Sequence, residues 1–295
     1  MRDGFSNYHP IITFGYFAII VIFGVVFMNP ITLMFSFIGA VGYGVYLGGA
    51  KATKFILTMP LGIMVVTTIF NPIFVHRGMV ILFYIGDKAV TLEAIIYGFL
   101  TGVMLASIII WFFSYNIVMT SDKFIYLFGR MVPVGSLIFS MVLKFVPNFN
   151  TKVKTIRNGQ KCIGRDISNG TKKEKIIHGS KIISIMTSWS LENSIDTADS
   201  MNARGYGLKN RTNYNNYRFT NRDLVLALIV LGLVSVIIYG GMKGAIKFAC
   251  YPTFFFPEKT VLGTVVLIAY GILALLPVII NVKEEMKWKY LQSKI

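Results

Sequence analysis

The side chains of this sequence that can do directed chemistry are few, and most of them are cations. Arginine and lysine number 29 against 13 carboxylates, with three histidines and two cysteines. Two arginines lie where long polar helices are predicted to end. Arg204 stands in Met201-Asn202-Ala203-Arg204-Gly205-Tyr206-Gly207, and Arg165 in Gln160-Lys161-Cys162-Ile163-Gly164-Arg165-Asp166. Arginine carries a rigid planar fork of donors and keeps its charge when partly desolvated. On a helix end it can make charge-assisted bonds to a carboxylate or to carbonyls of a second protein. An arginine just before a glycine is also an ordinary helix stop, with the glycine in the left-handed cap and the cation at the negative end of the dipole.

Other chemistries are poorly served. A phosphate-binding loop needs G-x-x-x-x-G-K followed by Ser or Thr. The stretch from Gly159 to Gly164 continues with Arg165 and Asp166, so it lacks both the lysine and the hydroxyl. His9, His76 and His178 are far apart, and His9 precedes a proline at the start of an apolar run. We therefore expect neither catalysis nor a bound metal, and no cofactor in this chain. Cys162 and Cys250 fall on opposite sides of the membrane in the topology derived below, so no internal disulfide is expected.

The elements that carry these residues follow from composition. Hydrophobic residues make up 55% of the 295 positions and charged residues 14%, about half the charge of a soluble chain. Six apolar runs reach the length needed to cross hydrocarbon: 11–28, 31–50, 55–75, 92–118, 223–241 and 260–281. Asn29-Pro30 breaks the first pair, while Pro60 and Asn71-Pro72 kink the third run. The first run has no small-residue cleavage site and reads as a span, not as a signal peptide. The predicted fold class is thus an all-α integral membrane protein with about six transmembrane helices plus long amphipathic cytoplasmic coupling helices. Its regions are 1–121 with four spans, 122–222 on the cytoplasmic side, and 223–295 with two spans and a tail.

Lysines and arginines orient the chain. They crowd residues 148–222, and Lys51, Lys54, Lys123, Lys283, Lys287 and Lys289 lie beside span ends. The positive-inside rule puts these in the cytoplasm with both termini. His76, Arg77, Lys88, Lys243, Lys247 and Lys259 weaken the bias without reversing it. The segment 124–147 is apolar but carries Arg130, Lys144 and two prolines; if it crossed, the basic segment would lie outside. It is read as a helix along the cytoplasmic face. The net charge of +16 is then a topology signal, not a sign of nucleic acid.

The basic segment has helical pattern. Phe149, Val153, Ile156, Ile163 and Ile167 form a stripe over 148–168, closed by Asn169-Gly170. A second helix runs from about Lys172 to Ala203, with Leu191, Ile195 and Ala198 on one stripe. Such helices can lie on anionic lipid or serve as a platform for a soluble partner. Gly42, Gly44, Gly48, Gly49, Gly98 and Gly102 read as close helix-packing positions, or as a contact surface for another membrane subunit. No span interior carries the buried carboxylate of an ion-driven carrier, which counts against a secondary transporter with a large cytoplasmic domain. A membrane anchor for another cytoplasmic complex is the third class.

Ser194 to Gly207 resembles a motif of the transmembrane T component of energy-coupling factor (ECF) transporters. So, in the same order, do Phe74-Val75-His76-Arg77-Gly78, Asp122 to Arg130, Lys144-Phe145-Val146-Pro147 and Tyr217 to Asp223. The resemblance implies a scaffold subunit of an ATP-driven uptake transporter of the ABC class in the bacterial inner membrane. Its implied partners are two cytoplasmic ATPase subunits, which bind the ATP and magnesium, and a membrane S component that selects a vitamin or metal ion. Two coupling helices would each dock on one ATPase through an arginine motif. Ala203-Arg204-Gly205 matches the second motif fully. The first is represented by Gly164-Arg165-Asp166, a departure from the usual Ala-Arg-Gly.

Overall fold

The computed structural model describes all residues except 1–2, 77, 86–87, 130–131, 168–170, 209–216, 252–253, 256–259 and 295. Arg77, Arg130, Lys209, Arg211, Lys259 and the Asn169-Gly170 helix stop therefore lie outside the described residues. The chain divides into two compact units. The first comprises 1–124 with 217–295, the second 125–216.

The first unit is a helical bundle. Helix α1 (Pro10–Val26) is 17 residues long and begins at His9, whose ring nitrogen accepts the Ile11 N–H. Asn29 caps α2 in the same way, accepting the Ile31 N–H at 3.0 Å. α2 (Pro30–Phe74) is 45 residues long, about 67 Å if straight, more than twice the hydrocarbon thickness. It is not straight. Gly49, at φ 55° and ψ −140°, breaks the helix, a backbone open almost only to glycine. The two limbs fold against α3 (Leu92–Val118) in opposite senses. Along the first limb, Leu33 clusters with Leu100 and Val103, and Ser36 accepts the Trp111 indole N–H. Along the second, Phe55 stacks on Phe113 while Thr67 and Asn71 meet Gly98. Two antiparallel limbs joined near Gly49 thus replace the loop expected at 51–54.

Helix α7 (Asn221–Met242) and helix α8 (Val261–Gln292) complete the bundle. Five segments are long and apolar enough to cross a membrane: Pro30–Gly49, Thr53–Phe74, Leu92–Val118, Asn221–Met242 and Val261–Gln292; Pro10–Val26 is shorter. This is an all-α, multi-pass membrane protein. Packing relies on close approach, because lipid supplies no hydrophobic drive between helices. A side chain at Gly39 would strike the Ala274 carbonyl, one at Gly98 the Thr67 carbonyl, and one at Gly102 the Met64 backbone. Those glycines serve contacts within the chain and are not free for a second membrane subunit. Between α2 and α3 on one side and β-structure on the other, residues 76–91 are not all loop. β1 (Ile81–Ile85) pairs antiparallel with β2 (Lys88–Thr91).

The helices alternate in direction, so one end of the bundle gathers the N-terminus, the Gly49 turn, the end of α3, the start of α7 and the end of α8. The N-terminal segment is tied down there. The Asn281 side-chain oxygen accepts the Gly4 N–H at 2.8 Å, and Asp223 accepts the His9 N–H at 3.0 Å. The Lys123 ammonium donates to the Ser6 carbonyl and the Val118 carbonyl. Lys123 is buried, and burial holds its ammonium below the usual lysine range, with Asp3 pulling it back up.

The second unit pairs two long helices after short α4 (Ser121–Gly129), which ends within it. α5 runs from Pro133 to Cys162 and α6 from Lys172 to Ala203. The expected division into 124–147 and 148–168 is thus replaced by one helix that passes through Pro147. Proline at the first turn starts it without loss, since that N–H needs no partner. α6 opens on a reciprocal capping box between Thr171 and Glu174.

Candidate partner-docking site

Where α5 and α6 meet, Phe149 packs edge-on against Trp189 at 5.4 Å, a contact of about 0.5–1.5 kcal/mol beyond its buried area. Lys152 lies over the same indole, its ammonium 5.3 Å from the ring. On α6 Ile182 is buried, and His178, Gly179, Met186, Trp189, Ser190, Asn193, Thr197 and Met201 are half-covered. Leu191 and Ile195, the stripe expected from periodicity, are each 63% exposed. On α5 the covered line runs through Phe145, Phe149, Lys152, Ile156 and Gln160. Ile163 lies beyond the helix and is 60% exposed, so it is not part of that stripe.

Both helices end in the same backbone motif. In α6, Gly205 has φ 77°, its N–H donates to the Asn202 carbonyl, and the Tyr206 N–H donates back to Met201 at 3.0 Å. In α5, Gly164 has φ 80°, its N–H donates to Lys161, and the Arg165 N–H donates back to Gln160 at 2.9 Å. This pair of bonds, five residues and three residues back, is the Schellman closure. It satisfies carbonyls that would otherwise be orphaned and fixes the residues on either side of the glycine.

Superposing the two ends on their glycines shows a difference. Before the glycine, α6 has Arg204 and α5 has Ile163. After it, α6 has Tyr206 and α5 has Arg165. Each end therefore presents one guanidinium and one large apolar or aromatic group, in exchanged order. Arg204 and Arg165 are both exposed, as are Ala203 and Gly164, while Gly205 is half-buried. Asp166 is directed inward along its own chain. Its carboxylate is 3.6 Å from the Lys161 ammonium and its side chain is only 13% exposed. Of the six residues expected to dock, three form the end of α6 and three follow α5. Ile163 and Tyr206 come into register with the arginines only when the two ends are aligned on glycine instead of arginine.

The stretch from Gly159 to Cys162 is helical, so it does not form a phosphate-cradling loop. Cys162 is exposed at the end of α5, and Cys250 is buried in the first unit. Burial raises the Cys250 thiol above its usual range.

No family model matches the chain. It is 28% identical to the energy-coupling factor transporter transmembrane protein EcfT of Streptococcus thermophilus, over 69% of this chain and 79% of that protein. It is 32% identical to the EcfT of Exiguobacterium sibiricum, over 36% of this chain and 41% of the relative. An uncharacterized protein of Mycoplasma genitalium, MG181, is 30% identical over 39% of this chain and 28% of its own length. The chain thus spans less than half of these last two relatives and most of the first. Over these lengths the chain is similar to EcfT transmembrane components, and its apolar helices agree with that likeness.

Proposed function

We propose that this chain is the membrane scaffold of an ATP-driven ECF-type uptake transporter, passing motion from partner ATPases to a substrate-binding membrane subunit. The observation that carries this reading is the pair of long helices with matching closures, each presenting an exposed arginine beside a left-handed glycine. The likeness to EcfT proteins supports it. On this reading the α5 and α6 ends each seat in a groove on one ABC-type ATPase subunit. ATP and magnesium belong to those subunits, and this chain is not itself an enzyme. The imported solute, a vitamin or a metal ion, is selected by the separate membrane subunit. The end of the bundle that holds both termini faces the cytoplasm, supported by Lys51, Lys54, Arg218, Lys283 and Lys287 there.

The test is purification of the tagged chain from its own membranes. Two ATPase subunits and one further membrane protein should come with it, and ATP turnover should belong to the assembly. A chain that transports with no ATPase attached, driven by an ion gradient, would replace this reading with the secondary-transporter class.

A further inference from the structure

At the end of the bundle that gathers both termini, a cavity of about 540 Å³ opens between the N-terminal segment, the start of α7 and the last turns of α8. Its lining includes Asp3, Asn7, Arg222, Glu284, Lys287 and Trp288. Both signs of charge face it, yet the described residues of its walls form no ion pair with one another. The two ion pairs among the described residues are Lys161 with Asp166 and Lys289 with Glu285, and neither involves a wall of this cavity.

The walls differ in how far they are already engaged. Asp3 is held from below, accepting the Tyr43 hydroxyl at 3.0 Å and the Phe5 N–H at 3.2 Å. Glu284 lies against the N-terminal segment, close enough that a side chain at Gly4 would strike its carboxylate. Arg222 is exposed, with its guanidinium 6.0 Å from the Tyr8 ring. Lys287 and Trp288 are exposed on the next turn of α8 from Glu284.

Depth narrows the choice of ligand. The apolar run of α8 ends at Val282. At 1.5 Å per residue, Glu284 and Lys287 lie roughly 3 and 8 Å further along the helix. The headgroup layer on each side of a bilayer is roughly 5–7 Å thick. The cavity therefore opens at the level of lipid headgroups. An anionic headgroup alone would meet Arg222 and Lys287 well but leave Glu284 facing a like charge. A headgroup that carries a phosphate and an ammonium satisfies both signs.

We propose that this cavity binds the headgroup of a zwitterionic, amine-bearing phospholipid, with Arg222 and Lys287 on the phosphate and Glu284 on the ammonium.

The test uses the full chain in detergent, with whatever subunits co-purify, and three probes. They are short-chain phosphatidylethanolamine, short-chain phosphatidylglycerol, and glycerophosphoethanolamine, which has the headgroup without acyl chains. The first should bind most tightly, read by native mass spectrometry and by the rise in melting temperature. Glu284→Gln and Lys287→Gln should each weaken it roughly two- to fivefold, the scale of one solvent-screened ion contact. Glu285→Gln, whose partner is Lys289, should bind like the parent chain. Melting without lipid separates misfolded variants from those that lose only the ligand. Unchanged or tighter binding by Glu284→Gln would mean that only the phosphate is read, and would overturn the proposal. Equal binding of phosphatidylglycerol would do the same. Tight binding of glycerophosphoethanolamine would assign the cavity to a soluble solute and also overturn it.

Discussion

At the scale of single residues, the closing glycines decide which side chains can reach a partner. Arg204 precedes its glycine and Arg165 follows one, so the two guanidiniums are attached at different positions of the same closure. A desolvated, hydrogen-bonded charge contact typically costs about 2–5 kcal/mol when one partner is truncated. Arg204→Ala should therefore weaken ATPase binding by that order, with membrane insertion intact, measured by pull-down from solubilised membranes. Arg204→Lys should recover part of the loss, since lysine keeps the charge and lacks the fork. On the proposed docking, the α5 end offers Ile163 beside Arg165 as the α6 end offers Tyr206 beside Arg204. Ile163→Ala and Arg165→Ala should each weaken binding, and the effect of Ile163 should not depend on salt. Lys172→Gln and Lys173→Gln are controls on the exposed start of α6. Impairment by these as large as by the arginine changes would mean diffuse charge attraction in place of docking.

At the scale of elements, the same glycines hold the helix ends closed. A side chain other than glycine or asparagine at φ near 77° costs about 1–2 kcal/mol. Gly205→Ala should open the closure and release the Tyr206 amide, now bonded to Met201; faster hydrogen exchange at that amide is the measurement. Gly205→Asn should exchange more slowly than the alanine variant. How much of this was readable beforehand differs by element. The apolar runs located five of the six expected spans, because a length near 20 residues is dictated by hydrocarbon thickness; the run 11–28 forms the shorter Pro10–Val26, ended before Asn29-Pro30. The limits of α6 were legible from Lys172 and from Ala203-Arg204-Gly205. α5 was cut in two because Pro147 reads as a break, whereas the helix continues through it. The Leu191 and Ile195 stripe, legible as apolar, is exposed in this structure. Periodicity reveals that a face is apolar, not what covers it, and here the covered face is centred on Trp189. Arg204 was legible by residue type. Ile163 was not, since an isoleucine near a helix end ordinarily reads as core.

At the scale of the whole molecule, the alternation of helix direction makes a prediction that the native cysteines can test. Cys162 is exposed on the second unit and Cys250 is buried in the first. On the proposed orientation an impermeant maleimide should leave Cys162 unmodified in intact cells and modify it in inverted membrane vesicles. A cysteine placed at Ser180 should behave like Cys162. Labelling of either position from outside would reverse the orientation. Added ATPase subunits should then shield Cys162 in the vesicles, since it lies one residue before Ile163.

The meeting of Phe149 with Trp189 has a mechanical consequence. Arg204 lies 15 residues beyond Trp189, and Ile163 lies 14 beyond Phe149. At 1.5 Å per residue the stretches from that contact to the two tips measure roughly 22 and 21 Å. On the proposed coupling they would act as shears of nearly equal blade length about the aromatic contact. Each degree of opening there carries either tip through about 0.4 Å, so a rotation of about ten degrees would displace both by about 4 Å. Whatever grips the tips works against equal leverage on the two sides, and neither blade has the advantage.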